Sequence, residues 1–133
     1  MSFFSAVQAC FANYATFRGR ARRSEYWFFV LFMILCTLVA ATLDGAIAVN
    51  TARHLNVFST ILSIVFFLPS LAVTARRLHD IGRSGWWMLI SLVPIVGSIV
   101  LLVWLCTRGY EGPNRFGSDP IGPMQPGPAG AVA

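Results

Sequence analysis

The sequence predicts an all-α membrane protein, with an N-terminal interfacial amphipathic helix followed by three transmembrane helices. Three observations carry this. Residues 26–43, 55–75 and 86–107 contain no Asp, Glu, Lys or Arg over 18, 21 and 22 positions. Helices of that length are about 27–33 Å long, close to the hydrocarbon core of a bilayer. Arginine clusters flank these stretches rather than interrupt them. The chain is also 56% hydrophobic and only 11% charged, outside soluble composition. A single integral membrane domain over residues 1–117 accounts for this length, with spans near 25–48, 55–76 and 86–107.

Residues 1–17 are apolar but broken by Ser5, Gln8, Asn13 and Thr16. Phe3, Val7, Cys10 or Phe11, and Tyr14 recur at helical spacing, giving one apolar stripe. The segment is too short and too polar to span. It either lies in the interface or packs against the bundle. Next, Phe17-Arg-Gly-Arg-Ala-Arg-Arg-Ser-Glu-Tyr-Trp27 places four arginines in six residues. Ser24 is suited to cap the first span and Glu25 to its first turn, where the helix dipole favours an acid. Tyr26 and Trp27 form an aromatic belt at the water boundary. Asp44 follows Ser24 by about 30 Å of helix and so reaches the opposite surface. Thr37, Ala41, Gly45 and Ala48 make a small-residue seam that admits a neighbouring helix.

The connection at 49–54 is short and carries one arginine, Arg53. In the second span Pro69 is expected to kink the last third. It leads into Ala75-Arg-Arg-Leu-His-Asp-Ile-Gly-Arg-Ser-Gly-Trp-Trp87, where Arg76, Asp80 and Arg83 share a face if the helix continues. The third span opens on Trp86-Trp87 and holds Pro94 and Gly97 near its middle. Pro94 frees the carbonyl of Ile90, so a kink or local unwinding is expected. The alternative is that this third hydrophobic segment forms a hairpin at Pro94–Gly97, with arms of about 15 Å that do not cross a bilayer. Residues 118–133 are Gly/Pro-rich without aromatics and are expected to be disordered. Glu111-Gly-Pro-Asn-Arg-Phe-Gly117 differs, since its aromatic and arginine can fold back onto the membrane surface.

Arginine bias sets orientation. With a cytoplasmic N-terminus and three spans, Arg18, Arg20, Arg22, Arg23, Arg76, Arg77 and Arg83 lie inside and three arginines outside. The hairpin alternative improves the count to nine against one. No cleavable signal peptide is expected, because no basic residue precedes Arg18 and the apolar stretch after it is too long.

The net charge of +5 comes entirely from arginine, since the chain has no lysine. Nucleic acid is not the expected partner: the basic residues flank apolar spans instead of forming a stripe on a soluble face. Cys10, Cys36 and Cys106 lack metal-ligand or redox spacing, so neither a metal nor a cofactor is expected. The pair His79-Asp80 has no further ligands nearby, with His54 in the opposite loop. No nucleophile motif, phosphate-binding loop or dinucleotide fingerprint is present, so no catalytic residues and no enzyme are expected. The uncharged stretches that form the middle of the spans offer no Asp, Glu, Lys or Arg to line a transport path. An oligomeric transporter or channel component, with the third segment lining the pore, is the alternative reading. The favoured one is a structural or interaction protein. Arg18, Arg20, Arg22, Arg23, Arg76, Arg77 and Arg83 would form a cytoplasmic face for anionic phospholipid, a membrane-protein partner or a second copy of the chain. Glu25, His79 and Asp80 would compensate that charge.

Three motifs carry a resemblance: Phe17 to Trp27 as quoted, Arg76-Arg-Leu-His-Asp80 with Arg83-Ser-Gly-Trp-Trp87, and Gly112-Pro-Asn-Arg-Phe-Gly-Ser-Asp-Pro120. Over residues 10–120 the chain resembles the bacterial inner-membrane family catalogued as domain of unknown function 805. Ser118 stands where that family's closing motif has Pro. The resemblance implies a small multi-spanning protein of the bacterial inner membrane and brings no established activity.

Overall fold

The computed structural model describes residues 2–52, 55–110, 112–117 and 119–121. Among them it has no named strand and is helical: α1 (Phe3–Ala12), α2 (Arg23–Thr51), α3 (Val57–Asp80), a 3-10 helix η1 (Gly85–Leu92) and α4 (Val96–Cys106). The chain divides into two compact units, Met1–Thr16 with Ser24–Val73, and Phe17–Arg23 with Thr74–Ala133. The tail at 118–133, for which disorder is expected, lies outside the described residues except at 119–121.

α2 and α3 are 29 and 24 residues long, enough to cross a membrane. Only 11% and 22% of their most apolar windows are buried. A core helix of a soluble protein would be mostly covered, whereas these present Leu38, Val39, Ile64 and Phe67 outward.

In the first unit α1 is docked on α2 and α3 through aromatic edges, with Ala6 and Cys10 fully buried beneath it. Phe3 packs edge-on to Phe28 and Phe32, with centroids 6.1 and 6.3 Å apart. Phe11 meets Phe29, Phe32 and Phe66 at 5.9–6.2 Å. Such pairs contribute about 0.5–1.5 kcal/mol each beyond burial. α1 thus packs against α2 and α3. Ser24 is not the cap expected of it. α2 already begins at Arg23, and the Ser24 hydroxyl is buried without a hydrogen-bond partner among the described residues. At the far end of α2, buried Asp44 accepts hydrogen bonds from the backbone N–H groups of Phe58 and Ser59, both at 2.9 Å. It caps the first turn of α3 from a neighbouring helix.

The third expected helix, 86–107, is not a single helix. η1 has eight residues and α4 eleven, about 16 Å each. Pro94 has no N–H to continue a helix, and Ile95 turns the chain with φ 64°, closed by Val96 N–H donating to the Pro94 carbonyl at 2.7 Å. The arms then pack on each other. Trp87 and Trp104 meet edge-to-face at 5.7 Å. Gly97 passes so close to the Ile90 carbonyl that a Cβ there would overlap it. The hairpin at Pro94–Gly97, the alternative from sequence, is the arrangement present.

Candidate functional site

The second unit is organised around Asp80, the last residue of α3. Its side chain is almost wholly buried, with two guanidinium groups on it. Arg20 lies 2.9 Å from Oδ1 and Arg77 2.9 Å from Oδ2. Both arginines reach past the carboxylate to the backbone of the C-terminal segment. Arg20 donates to the carbonyls of Tyr110 at 2.6 Å and Gly112 at 2.7 Å. Arg77 donates to Leu105 O at 3.1 Å and also to Thr107 O. Arg23 donates to Cys106 O at 3.2 Å. The end of α4 leaves carbonyls without helical partners, and cationic side chains satisfy them while complementing the helix dipole.

Backbone contacts position these side chains. Ala21, fully buried, donates to the Arg76 carbonyl at 2.9 Å and fixes the 17–23 loop beside α3. Tyr110 N–H donates to Asp80 O at 2.6 Å. That approach requires Gly109, where a Cβ would overlap the Asp80 carboxylate. α3 itself ends in a tight turn in which Arg83 N–H donates to Leu78 O at 2.9 Å.

His79 completes the assembly. Its Nδ1–H donates to Gly19 O at 2.9 Å, which selects the Nδ1-protonated tautomer of the neutral ring. The ring lies flat on Phe116, with centroids 4.1 Å apart and planes 2° from parallel. Asn114 donates to the His79 carbonyl at 2.9 Å and accepts from Phe116 N–H at 2.8 Å, so the 112–117 loop is latched to the end of α3. Arg115 lies over the Phe116 ring at 4.6 Å.

His79 and Asp80 lie beyond the apolar run of α3, which ends at Ala75. Burial lowers the His79 pKa below its ordinary value, opposed by the hydrogen bond to Gly19 and reinforced by Arg115. Burial also pushes the Asp80 carboxyl up, against the pull of Arg77 and then Arg20. Two cations on one carboxylate suit a held ion pair better than a proton-transfer group.

The predicted site residues separate into distinct environments. Arg20, Arg77 and Asp80 meet in one network, and Arg76 is buried beside it. As lipid-facing residues, Arg20, Arg76 and Arg77 are thus corrected: their guanidinium groups are inside the protein. Arg18 and Arg23 are exposed, Arg22 is half-buried, and Arg83 lies over Trp104 and Trp87. Asp80 bridges the guanidinium groups of Arg20 and Arg77. The His79 ring, held neutral, adds no negative charge to them. Buried Glu25 accepts from the Cys10 thiol at 3.8 Å in the first unit. Sequence reasoning missed the backbone carbonyls of 105–112 as the arginines' partners. The Gly112-Pro-Asn-Arg-Phe signal pointed to folding back, and the segment packs on His79. Among the described residues, no group of three or more His, Cys, Asp and Glu is placed to hold a metal ion.

Two membrane-length helices with outward apolar faces, followed by a polar assembly built from the three sequence motifs, define a helical membrane protein. The chain belongs to the family described as protein of unknown function DUF805, whose model matches residues 14–118. It is 47% identical over 108 residues to the inner membrane protein YhaH of Escherichia coli strain K12, covering 81% of this chain and 89% of that one. It is 44% identical over 108 residues to the inner membrane protein YhaI of the same strain, at 81% and 88% coverage. The uncharacterized protein YiiR of that strain is 32% identical over 130 residues, at 78% and 85%. No solved structure matches the chain.

Proposed function

We propose that this is a bacterial inner-membrane protein with both termini in the cytoplasm, crossing the bilayer twice through α2 and α3 and entering it part-way with the η1–α4 hairpin. Its role is structural and interactive. The assembly around Asp80 holds the hairpin shut, and Arg18, Arg22, Arg23 and Arg83 face anionic phospholipid headgroups or an acidic partner. The observation that carries this is the bonding of Arg77 to Leu105 O and Thr107 O. The hairpin's last residues return to the end of α3 from which its first residues depart, and Gly85 itself lies close against Ala75. Arms of about 16 Å do not cross a core of roughly 30 Å. The outward apolar side chains of the hairpin, Leu92, Ile95 and Ile99 among them, suit hydrocarbon. The arginine count then becomes nine inside and one, Arg53, outside, which follows the positive-inside rule better than three spans would. The names of the relatives support the inner-membrane location.

Reporter fusions test it. Green fluorescent protein fused after Ala133 should fluoresce, and alkaline phosphatase inserted near Ala52 should be active. Active alkaline phosphatase after Ala133 would restore the three-span topology. For the lipid-facing role, wild type should retain phosphatidylglycerol over phosphatidylcholine on purification. An Arg18→Gln, Arg22→Gln, Arg23→Gln variant should retain less in total.

A further inference from the structure

Arg83 is held differently from Arg20, Arg23 and Arg77, the arginines bonded to the backbone of the C-terminal segment. Its guanidinium lies 4.2 Å from the ring centroid of Trp104 and 5.9 Å from that of Trp87. A guanidinium over an indole face spends no hydrogen bond on it, so its five N–H donors remain available to a ligand. Arg20 and Arg77 commit their donors to carbonyls and to Asp80, and Arg23 gives one of its own to Cys106 O. None of the described residues offers the Arg83 side chain an acceptor or a carboxylate. The two indoles are fixed against each other, so the fork is oriented before any ligand arrives.

The surroundings identify the ligand. Arg83 opens the hairpin, one residue before the Ser84 cap of η1. Next to it Trp86 is 79% exposed and Trp87 48% exposed. Large amphipathic rings left outward beside a cation match the headgroup level of a bilayer. Planar paired donors match two oxygens of a phosphate. Just beyond, Leu89 and Leu102 turn outward, as acyl chains require. We propose that Arg83, steadied by Trp104 and Trp87, binds the phosphate of one anionic phospholipid at the mouth of the hairpin. This rests on the reading above that the hairpin enters the membrane from its arginine-bearing side, and it assigns one tight position within the general arginine face.

The test uses the full chain in detergent, with lipid binding followed by native mass spectrometry. The probes are phosphatidylglycerol, phosphatidylcholine and, separately, inorganic phosphate. Wild type should hold one phosphatidylglycerol. Arg83→Gln should weaken it about tenfold, the size expected for losing a charge-assisted pair. Arg83→Lys keeps the charge but loses the fork and should weaken it comparably. Arg18→Gln with Arg22→Gln should leave that one lipid in place. With Arg83 intact, phosphatidylglycerol should shift the tryptophan emission of wild type, and Trp104→Phe should diminish the shift, a readout independent of whether Arg83→Gln folds. Equal binding by wild type, Arg83→Gln and Arg83→Lys would overturn the proposal, as would displacement by excess inorganic phosphate or equal binding of phosphatidylcholine. Loss through Arg18 and Arg22 with Arg83 indifferent would overturn this site alone. Failure of wild type to select phosphatidylglycerol at all would also end the broader lipid reading.

Discussion

The hydroxyl of Tyr14 donates a 2.6 Å hydrogen bond to the carbonyl of Val65, the acceptor that Pro69 leaves without its helical partner four residues on. A proline inside a membrane-length helix exposes one carbonyl, and in hydrocarbon no water satisfies it. Here the segment after α1 supplies the missing donor. Tyr14→Phe should destabilise the protein by about 1–3 kcal/mol, the cost of an acceptor left unsatisfied away from water. In a Pro69→Ala background the helix recovers its own bond, and the same change should cost far less. Thermal unfolding of the four proteins of this cycle in detergent measures the coupling. Additive effects would show that Tyr14 does not serve Val65.

Asp80 links Arg20 and Arg77, so its removal strands two buried cations. Asp80→Asn is expected to cost about 3–5 kcal/mol, the range for breaking a buried pair from one side. Adding Arg20→Gln should recover part of the loss, because one uncompensated charge then disappears. Midpoints of chemical or thermal unfolding decide this. A loss below about 1 kcal/mol would place the pair among screened surface contacts.

The helical class and the two long apolar helices were legible because an uncharged run of 18 or more residues admits few other structures. Pro94 and Gly97 also marked where the third run fails. Choosing between kink and hairpin needed information that periodicity lacks: Arg77 bonding to carbonyls of Leu105 and Thr107, 28 and 30 residues away. Backbone carbonyls carry no sequence signature, so clustered arginines read as a charged face even where they bind the protein's own main chain. Asp80 reads from sequence as a counter-charge on the face it would share with Arg76 and Arg83, whereas its carboxylate meets Arg77, three residues back, and Arg20 from the 17–23 loop. Asp44 was placed at the far surface, but its partners across the loop, Phe58 and Ser59, have no side-chain feature that marks a cap.

The Asp44 carboxylate holds the first turn of α3. Asp44→Ala removes the acceptor for two N–H groups at the start of α3 and should cost about 1 kcal/mol or somewhat more. Asp44→Asn keeps an acceptor oxygen and should cost less. Amide exchange at residues 57–60 should accelerate in the alanine variant, while exchange at 105–112, in the other unit, should not change. Uniform acceleration throughout would mean that the carboxylate stabilises the fold by another route.

The His79–Phe116 stack makes the 112–117 loop sensitive to acid. Burial lowers the folded His79 pKa below the ordinary 6.5, so the unfolded or released form binds the proton more readily. The stabilisation is complete above pH 6.5 and is lost progressively below it, as pH falls toward the lowered folded value. Protonation also places a second cation beside Arg115, which repels it. Amide exchange of residues 112–117 should therefore increase on going from pH 7.5 to about pH 5, after correction for the intrinsic pH dependence of exchange. His79→Gln cannot take up that proton, so its loop should exchange alike at both values, though faster than wild type at the higher one because the stack on Phe116 is weakened. A wild-type loop indifferent to acid, with His79 seen by nitrogen NMR to titrate normally, would show that the ring is not sequestered by the loop.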